Sequence, residues 1–105
     1  MKTVSPLPET IHEELKTILD KYPSIKKVIL FGSRAKGTNT KRSDIDLVIA
    51  DSQVDRITLS NIEYEIEESD IPNLVDLQLL EEIDNPELLD HIDRVGKVIY
   101  CSLIP

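Results

Sequence analysis

The sequence has one cysteine, no tryptophan, one phenylalanine and two histidines in 105 residues. A lone Cys101 cannot close an internal disulfide, which fits a reducing compartment. His12 and His91 stand apart with no cysteine partner, so a zinc site of the usual His/Cys type is not expected. Long apolar runs are also absent. The longest, Val28-Ile29-Leu30-Phe31 and Leu47-Val48-Ile49-Ala50, are far short of the roughly 20 residues that span a bilayer. The N-terminal residues lack the continuous apolar stretch of a secretory leader, and the expectation is a cytoplasmic protein with no membrane segment. No internal repeat, linker or low-complexity tract interrupts the chain.

What is present describes an ordinary globular composition, 40% hydrophobic and 30% charged. A chain of this length builds one core, so a single domain over residues 1–105 is expected, with little room for an enclosed pocket. Any site should lie on an open face, and any second substrate-binding domain must come from elsewhere. With 20 acids against 12 basic residues the net charge is −8, which argues against broad nucleic-acid binding driven by phosphate neutralisation. The charge is uneven, however. Arg34, Lys36, Lys41 and Arg42 give the stretch from Gly32 to Ser43 a charge of +4 with no acid among them, leaving −12 for the rest. Charge alone is equally consistent with a solvated loop.

Pro6 and Pro8 precede an amphipathic pattern from Glu9 to Lys21, with Ile11, Leu15, Ile18 and Leu19 as its apolar stripe. Lys26 to Phe31 reads as a β-branched strand stopped by Gly32, followed by a loop to Ser43 that has room for a short helical turn after the glycine. A second strand is expected over Asp44 to Ala50, a helix from Val54 to Ser69 and a third strand over Leu74 to Leu80. Asn85-Pro86 signals the start of another helix, with an N-cap and a proline in the first turn. Gly96 ends that helix, and Lys97 to Cys101 supplies a last short strand. This order predicts an α/β (α+β) fold: a small mixed sheet with helices on one face. Glu63, Glu65, Glu67 and Glu68 read as a solvated helix surface.

Strand parity locates a site. Side chains alternate along a strand, so Ile45, Leu47 and Ile49 share one face while Asp44, Asp46 and Val48 share the other. In the third strand Val75, Leu77 and Leu79 oppose Asp76 and Gln78. Aspartate is uncommon in strands and costly to desolvate unpaired, so two of them two residues apart require a reason. Their carboxylates are spaced to converge on one or two divalent cations, with Asp76 completing the set. Magnesium suits such a site because it takes a few carboxylates together with substrate phosphates and water. Phe31-Gly32-Ser33 supplies the complementary half: glycine lets the backbone approach a ligand, and the serine hydroxyl and nearby N–H groups can bond phosphate oxygens.

Gly32-Ser33, ten intervening residues, then Asp44-Ile45-Asp46-Leu47 resembles the signature of the DNA polymerase β-type nucleotidyltransferase superfamily. Gly32-Ser33-Arg34-Ala35-Lys36-Gly37 with Ser43-Asp44-Ile45-Asp46-Leu47 is similar to its minimal nucleotidyltransferases, and the resemblance extends through Val75-Asp76-Leu77 to Gly96-Lys97-Val98-Ile99-Tyr100. It implies that Asp44, Asp46 and Asp76 are catalytic and hold two magnesium ions, Asp76 also helping to activate the attacking hydroxyl. It implies that Gly32 and Ser33 hold a nucleoside triphosphate, ATP in the expected reaction, with Arg34, Lys36 and Arg42 as further nucleotide-binding candidates. Minimal members are often paired with a helical toxin bearing a higher eukaryotes and prokaryotes nucleotide-binding (HEPN) domain. In such pairs the nucleotidyltransferase is the antitoxin and adenylylates a toxin tyrosine. The implied partner is therefore a HEPN-type protein, with an oligomer left open.

The residues themselves leave a second reading, an antitoxin that neutralises its partner by stoichiometric occlusion without catalysis, and a third in which Asp44 and Asp46 are plain surface acids. His12, His91, Cys101, Tyr22, Tyr64 and Tyr100 carry no catalytic signal in the sequence and are expected to be surface or packing residues, Tyr100 with a weak case for meeting a partner.

Overall fold

The computed structural model describes residues 7–102; Pro6 and the chain termini lie outside the described residues. The elements follow the expected order: α1 (Glu9–Leu19), β1 (Lys27–Phe31), α2 (Ser33–Lys36), β2 (Ile45–Ala50), α3 (Arg56–Glu67), β3 (Val75–Leu79), α4 (Pro86–Val95) and β4 (Lys97–Cys101). The helical turn after Gly32 is α2, and a 3-10 turn at Leu80–Glu82 closes β3. The four strands form one sheet in the order β3-β2-β1-β4. β1 pairs antiparallel with β2 and with β4, while β2 and β3 run parallel. That parallel pair needs a crossover connection, which α3 provides.

Sequence chemistry sets the helix ends. The Asp55 side chain accepts a hydrogen bond from the Thr58 N–H at 2.7 Å, capping α3. Asn85 does the same for α4, accepting from the Glu87 N–H at 2.9 Å and the Leu88 N–H at 3.4 Å. Pro86 has no N–H to leave unpaired in the first turn.

The main core lies between the aliphatic sheet face and helices α1 and α3. Val28, Leu30, Ile45, Leu47, Ile49, Leu77 and Leu79 meet Ile11, Leu15, Ile18, Leu59, Ile62 and Ile66 there, all buried. Parity along each strand therefore sorts the residues as expected. One placement differs: α4 does not join the other long helices but packs on the opposite face, the one that carries the carboxylates. Its Ile92 is buried with Phe31 and Val48, and Ile29, Leu80, Ile83 and Leu88 surround them. The physical reason is apolar area. Ile29, Phe31 and Val48 point away from the main core, and leaving three large side chains in water would forgo about 1.5–3 kcal/mol each. No helix among the described residues is long and apolar enough to cross a membrane.

The α4–β4 corner depends on Gly96. A Cβ there would stand 2.4 Å from the Ile92 carbonyl oxygen and 2.7 Å from Ile29 Cγ2. Gly96→Ala should cost about 1–3 kcal/mol through forced backbone displacement, read as a lower urea midpoint with unchanged slope. An unaltered midpoint would show that the corner relaxes freely.

Candidate functional site

The carboxylates are brought together by strand register. In the parallel β2–β3 pair Asp46 lies directly beside Asp76, and in the antiparallel β1–β2 pair Phe31 lies beside Asp46. Adjacent strands are about 4.8 Å apart, so Asp46 and Asp76 are neighbours although 30 residues separate them. Asp44 is exposed at the mouth of β2, Asp46 is half-buried and Asp76 is exposed on the edge strand. Gln78, next along that face of β3, donates to Asp76 Oδ2 at 3.3 Å.

Gly32 sits against Asp46. A Cβ on Gly32 would fall 2.3 Å from Asp46 Oδ2, and the residue has φ +78°, a conformation that side chains disfavour. The turn between β1 and α2 thus lies on the carboxylate in a way only glycine permits. Ser33 follows, half-buried, with its carbonyl accepting the Thr38 N–H at 3.0 Å. Among the described residues its hydroxyl has no hydrogen-bond partner.

The four basic residues divide. Lys36, Lys41 and Arg42 are exposed, and among the described residues none of their side chains joins an ion pair. Arg34, counted with Lys36 and Arg42 as a nucleotide-binding candidate, is instead 5% exposed. Its guanidinium donates to the Ser43 carbonyl at 3.1 and 3.4 Å and to the Lys41 carbonyl at 3.4 Å. A buried guanidinium needs several acceptors, and the loop backbone provides them, so Arg34 holds the protein rather than facing a ligand.

His91 is the residue that sequence reasoning missed. From α4 its ring packs edge-on to Phe31 with centroids 6.2 Å apart, and its Nε2 accepts the Gly32 N–H at 3.0 Å. The available signal was the α4 stripe: His91 lies beside Leu88 and Ile92 in the sector that meets Phe31. Cys101 is exposed, and His12 bonds the Ile99 carbonyl at 2.8 Å. The tyrosines lie elsewhere, Tyr22 donating to Glu65, Tyr64 to Glu68 and Tyr100 to Asp20. Burial and the Asp20 carboxylate push the Tyr100 phenol up to about 12.

Partial burial, then the charges of Asp76 and Asp44, hold the Asp46 carboxyl above the usual aspartate range, with His91 opposing. The site is thus short of positive charge. Among the described residues no three His, Cys, Asp or Glu side chains stand close enough to form a ready-made ion cage. Magnesium sites built from a few carboxylates plus substrate phosphates do not need a preformed cage. The oxygen-only donors and the unneutralised Asp46 fit a hard divalent cation. A surface groove of about 700 Å³ lies between α1 and β4, away from the carboxylates. Beside α4, the end of that face bearing Asp44 and Asp76 is exposed.

The raised Asp46 carboxyl has a stability consequence. Between the ordinary aspartate value of 3.8 and the raised one, the folded chain keeps a proton that the unfolded chain has released, so stability falls as pH rises through that window. In chelator at neutral pH, Asp46→Asn should melt a few degrees above the wild type, and the difference should vanish below pH 3.8. A variant that melts lower at neutral pH would contradict this.

Comparison with known proteins agrees with the geometry. The family described as Polymerase beta, Nucleotidyltransferase matches residues 13–103. A Methanocaldococcus jannaschii protein provisionally named a protein adenylyltransferase is 35% identical over 95 residues, 90% of this chain and 95% of that protein. A second M. jannaschii protein with the same provisional name is 43% identical over 49 residues, a match spanning 47% of this chain and only 48% of that protein. Among solved structures, one described as a toxin-antitoxin with AMP-PNP superposes with a TM-score of 0.67 at 24% identity, covering 88% of this chain and 74% of that one. Another, a tri-AMPylated Shewanella oneidensis HEPN toxin in complex with MNT antitoxin, gives 0.61 at 21% identity, with 90% and 72% covered. These likenesses are to the fold. The chain therefore belongs to the polymerase β nucleotidyltransferase family.

Proposed function

We propose that this nucleotidyltransferase moves AMP from ATP onto a hydroxyl of a HEPN-type partner protein, and so acts as an antitoxin. The observation that carries the reading is the Asp46–Asp76 register pair with Gly32 packed on Asp46. One end of the sheet then presents hard carboxylate donors and a phosphate-accepting turn side by side. The provisional name of the M. jannaschii relatives supports a protein acceptor. The toxin–antitoxin neighbours, one with AMP-PNP and one with an AMPylated HEPN toxin, support the nucleotide and the partner.

In the proposed reaction the acceptor oxygen attacks the α-phosphorus in line. The bond from that phosphorus to the bridging oxygen of the β-phosphate breaks, and pyrophosphate leaves. Asp44, Asp46 and Asp76 would hold the magnesium. When bound, magnesium supplies positive charge to the phosphates and neutralises charge developing in the transition state. Ser33, with its unpartnered hydroxyl, and the N–H groups of its turn hold the triphosphate. Among the described residues Lys36, Lys41 and Arg42 have no acidic partners to compete with a phosphate tail. Asp76, exposed on the edge strand, meets an arriving acceptor first and accepts the hydroxyl proton.

The test is transfer of label from α-labelled ATP to the partner with and without magnesium. Asp46→Asn should reduce transfer at least about 100-fold, since several kcal/mol of charge stabilisation go with the metal site. Undiminished transfer would remove Asp46 from the assignment. If an Asp44→Asn, Asp46→Asn double variant still neutralised the partner at equal stoichiometry, occlusion would replace catalysis. Single alanine substitutions of Lys36 or Arg42 should raise KM for ATP a few-fold and flatten its salt dependence. A salt response identical to wild type would exclude them from the phosphate tail.

A further inference from the structure

Two side chains from opposite sides of the basic loop converge on the same pair of carbonyl oxygens. Arg34 on α2 donates to Lys41 O and Ser43 O at 3.4 and 3.1 Å. Asn73, just before β3, donates through Nδ2 to the same two oxygens at 2.8 and 3.1 Å. Next to them the Ile45 N–H donates to the Leu74 carbonyl at 2.8 Å. The loop is further tightened by the Thr40 N–H donating to Ser43 Oγ at 2.9 Å and the Ser43 N–H donating to Thr40 O at 3.2 Å.

Asp44 lies between the two fastened points, Ser43 and Ile45. It has no cap or strand pairing of its own, so its direction is set by its neighbours. Arg34 ties those neighbours to the turn that bears Ser33, and Asn73 ties them to the strand that bears Asp76. We propose that Arg34 and Asn73 act together as positioning residues: they lock the loop carbonyls so that Asp44, Asp46 and Asp76 keep one spacing relative to each other and to Ser33. The planar guanidinium fork suits this role because it addresses two carbonyls at once with fixed geometry, which a lysine ammonium does not. The same clamp fixes the backbone from which Lys41 and Arg42 project.

This inference rests on the carboxylates being the cation site, and its test separates the two ideas. Arg34→Lys keeps the charge without the fork, Asn73→Ala removes the second donor without adding charge, and Asn73→Gln restores an amide on a longer arm. The readouts are amide hydrogen exchange of residues 40–45 without metal, thermal stability, and manganese affinity in the presence of AMP-PNP. Arg34→Lys and Asn73→Ala should exchange faster in that segment, with α1 and α3 unchanged. Their manganese affinity should fall by about tenfold, the scale seen when groups orienting metal ligands are removed, with partial recovery in Asn73→Gln. If Arg34→Lys does not fold, Asn73→Ala, at a half-buried loop position, carries the test. Faster exchange with manganese affinity within about twofold of wild type would overturn the positioning role, leaving the clamp a loop fastener. Wild-type protein that binds no manganese with AMP-PNP would overturn the proposed function and this inference with it, whatever the exchange data show.

Discussion

The rest of the structure depends on the parallel pairing of β2 with β3. It sets Asp46 beside Asp76, and it requires a crossover, so α3 is obliged to lie on one side of the sheet. The side on which α3 lies becomes the main core, and the other carries the carboxylates beside the smaller apolar cluster under α4. A shift of one residue in this pairing would place Asp76 among Ile45, Leu47 and Ile49 and turn Leu77 to water. The apolar parity that stabilises the core therefore enforces the alignment of the carboxylates, and folding energy and site geometry are settled by the same register.

The site is built from groups that disfavour one another in the absence of ligand. Asp46 is half-buried beside two other carboxylates and holds its proton more tightly than a free aspartate. The nearest organised groups are the Gly32 backbone and His91, whose Nε2 accepts the Gly32 N–H. Arg34, the buried cation of the basic loop, is turned into the loop backbone. Lys36, Lys41 and Arg42 remain in solvent, where water screens them. Among the described residues no lysine or arginine forms an ion pair with Asp44, Asp46 or Asp76.

Much of this was legible in the sequence because it depends on period and spacing. The strand parities around Asp44-Ile45-Asp46 and Asp76, the turn at Gly32-Ser33 and the caps at Asn85-Pro86 are local, and local physics reads them. What was not legible depends on packing between distant segments. The α4 stripe of Leu88 and Ile92 says that the helix buries a face, but not which side of the sheet receives it. The answer turns on Ile29, Phe31 and Val48 together, and with that answer comes His91. Arg34 was misplaced for a similar reason. Its charge in a basic loop points to a ligand, whereas its neighbourhood of loop carbonyls appears only once Asn73 has been brought beside Lys41 and Ser43.

β3 is an edge strand, paired on one side only, and it carries Asp76. Edge strands open locally at far smaller free energies than the whole domain requires, since they give up one ladder and not two. A chain whose β3 has frayed would lose Asp76 from the carboxylate set and expose Leu77 and Leu79, which belong to the main core. The intactness of the candidate site is thus tied to one five-residue segment, and the two leucines that anchor that segment in the core also hold its aspartate in place.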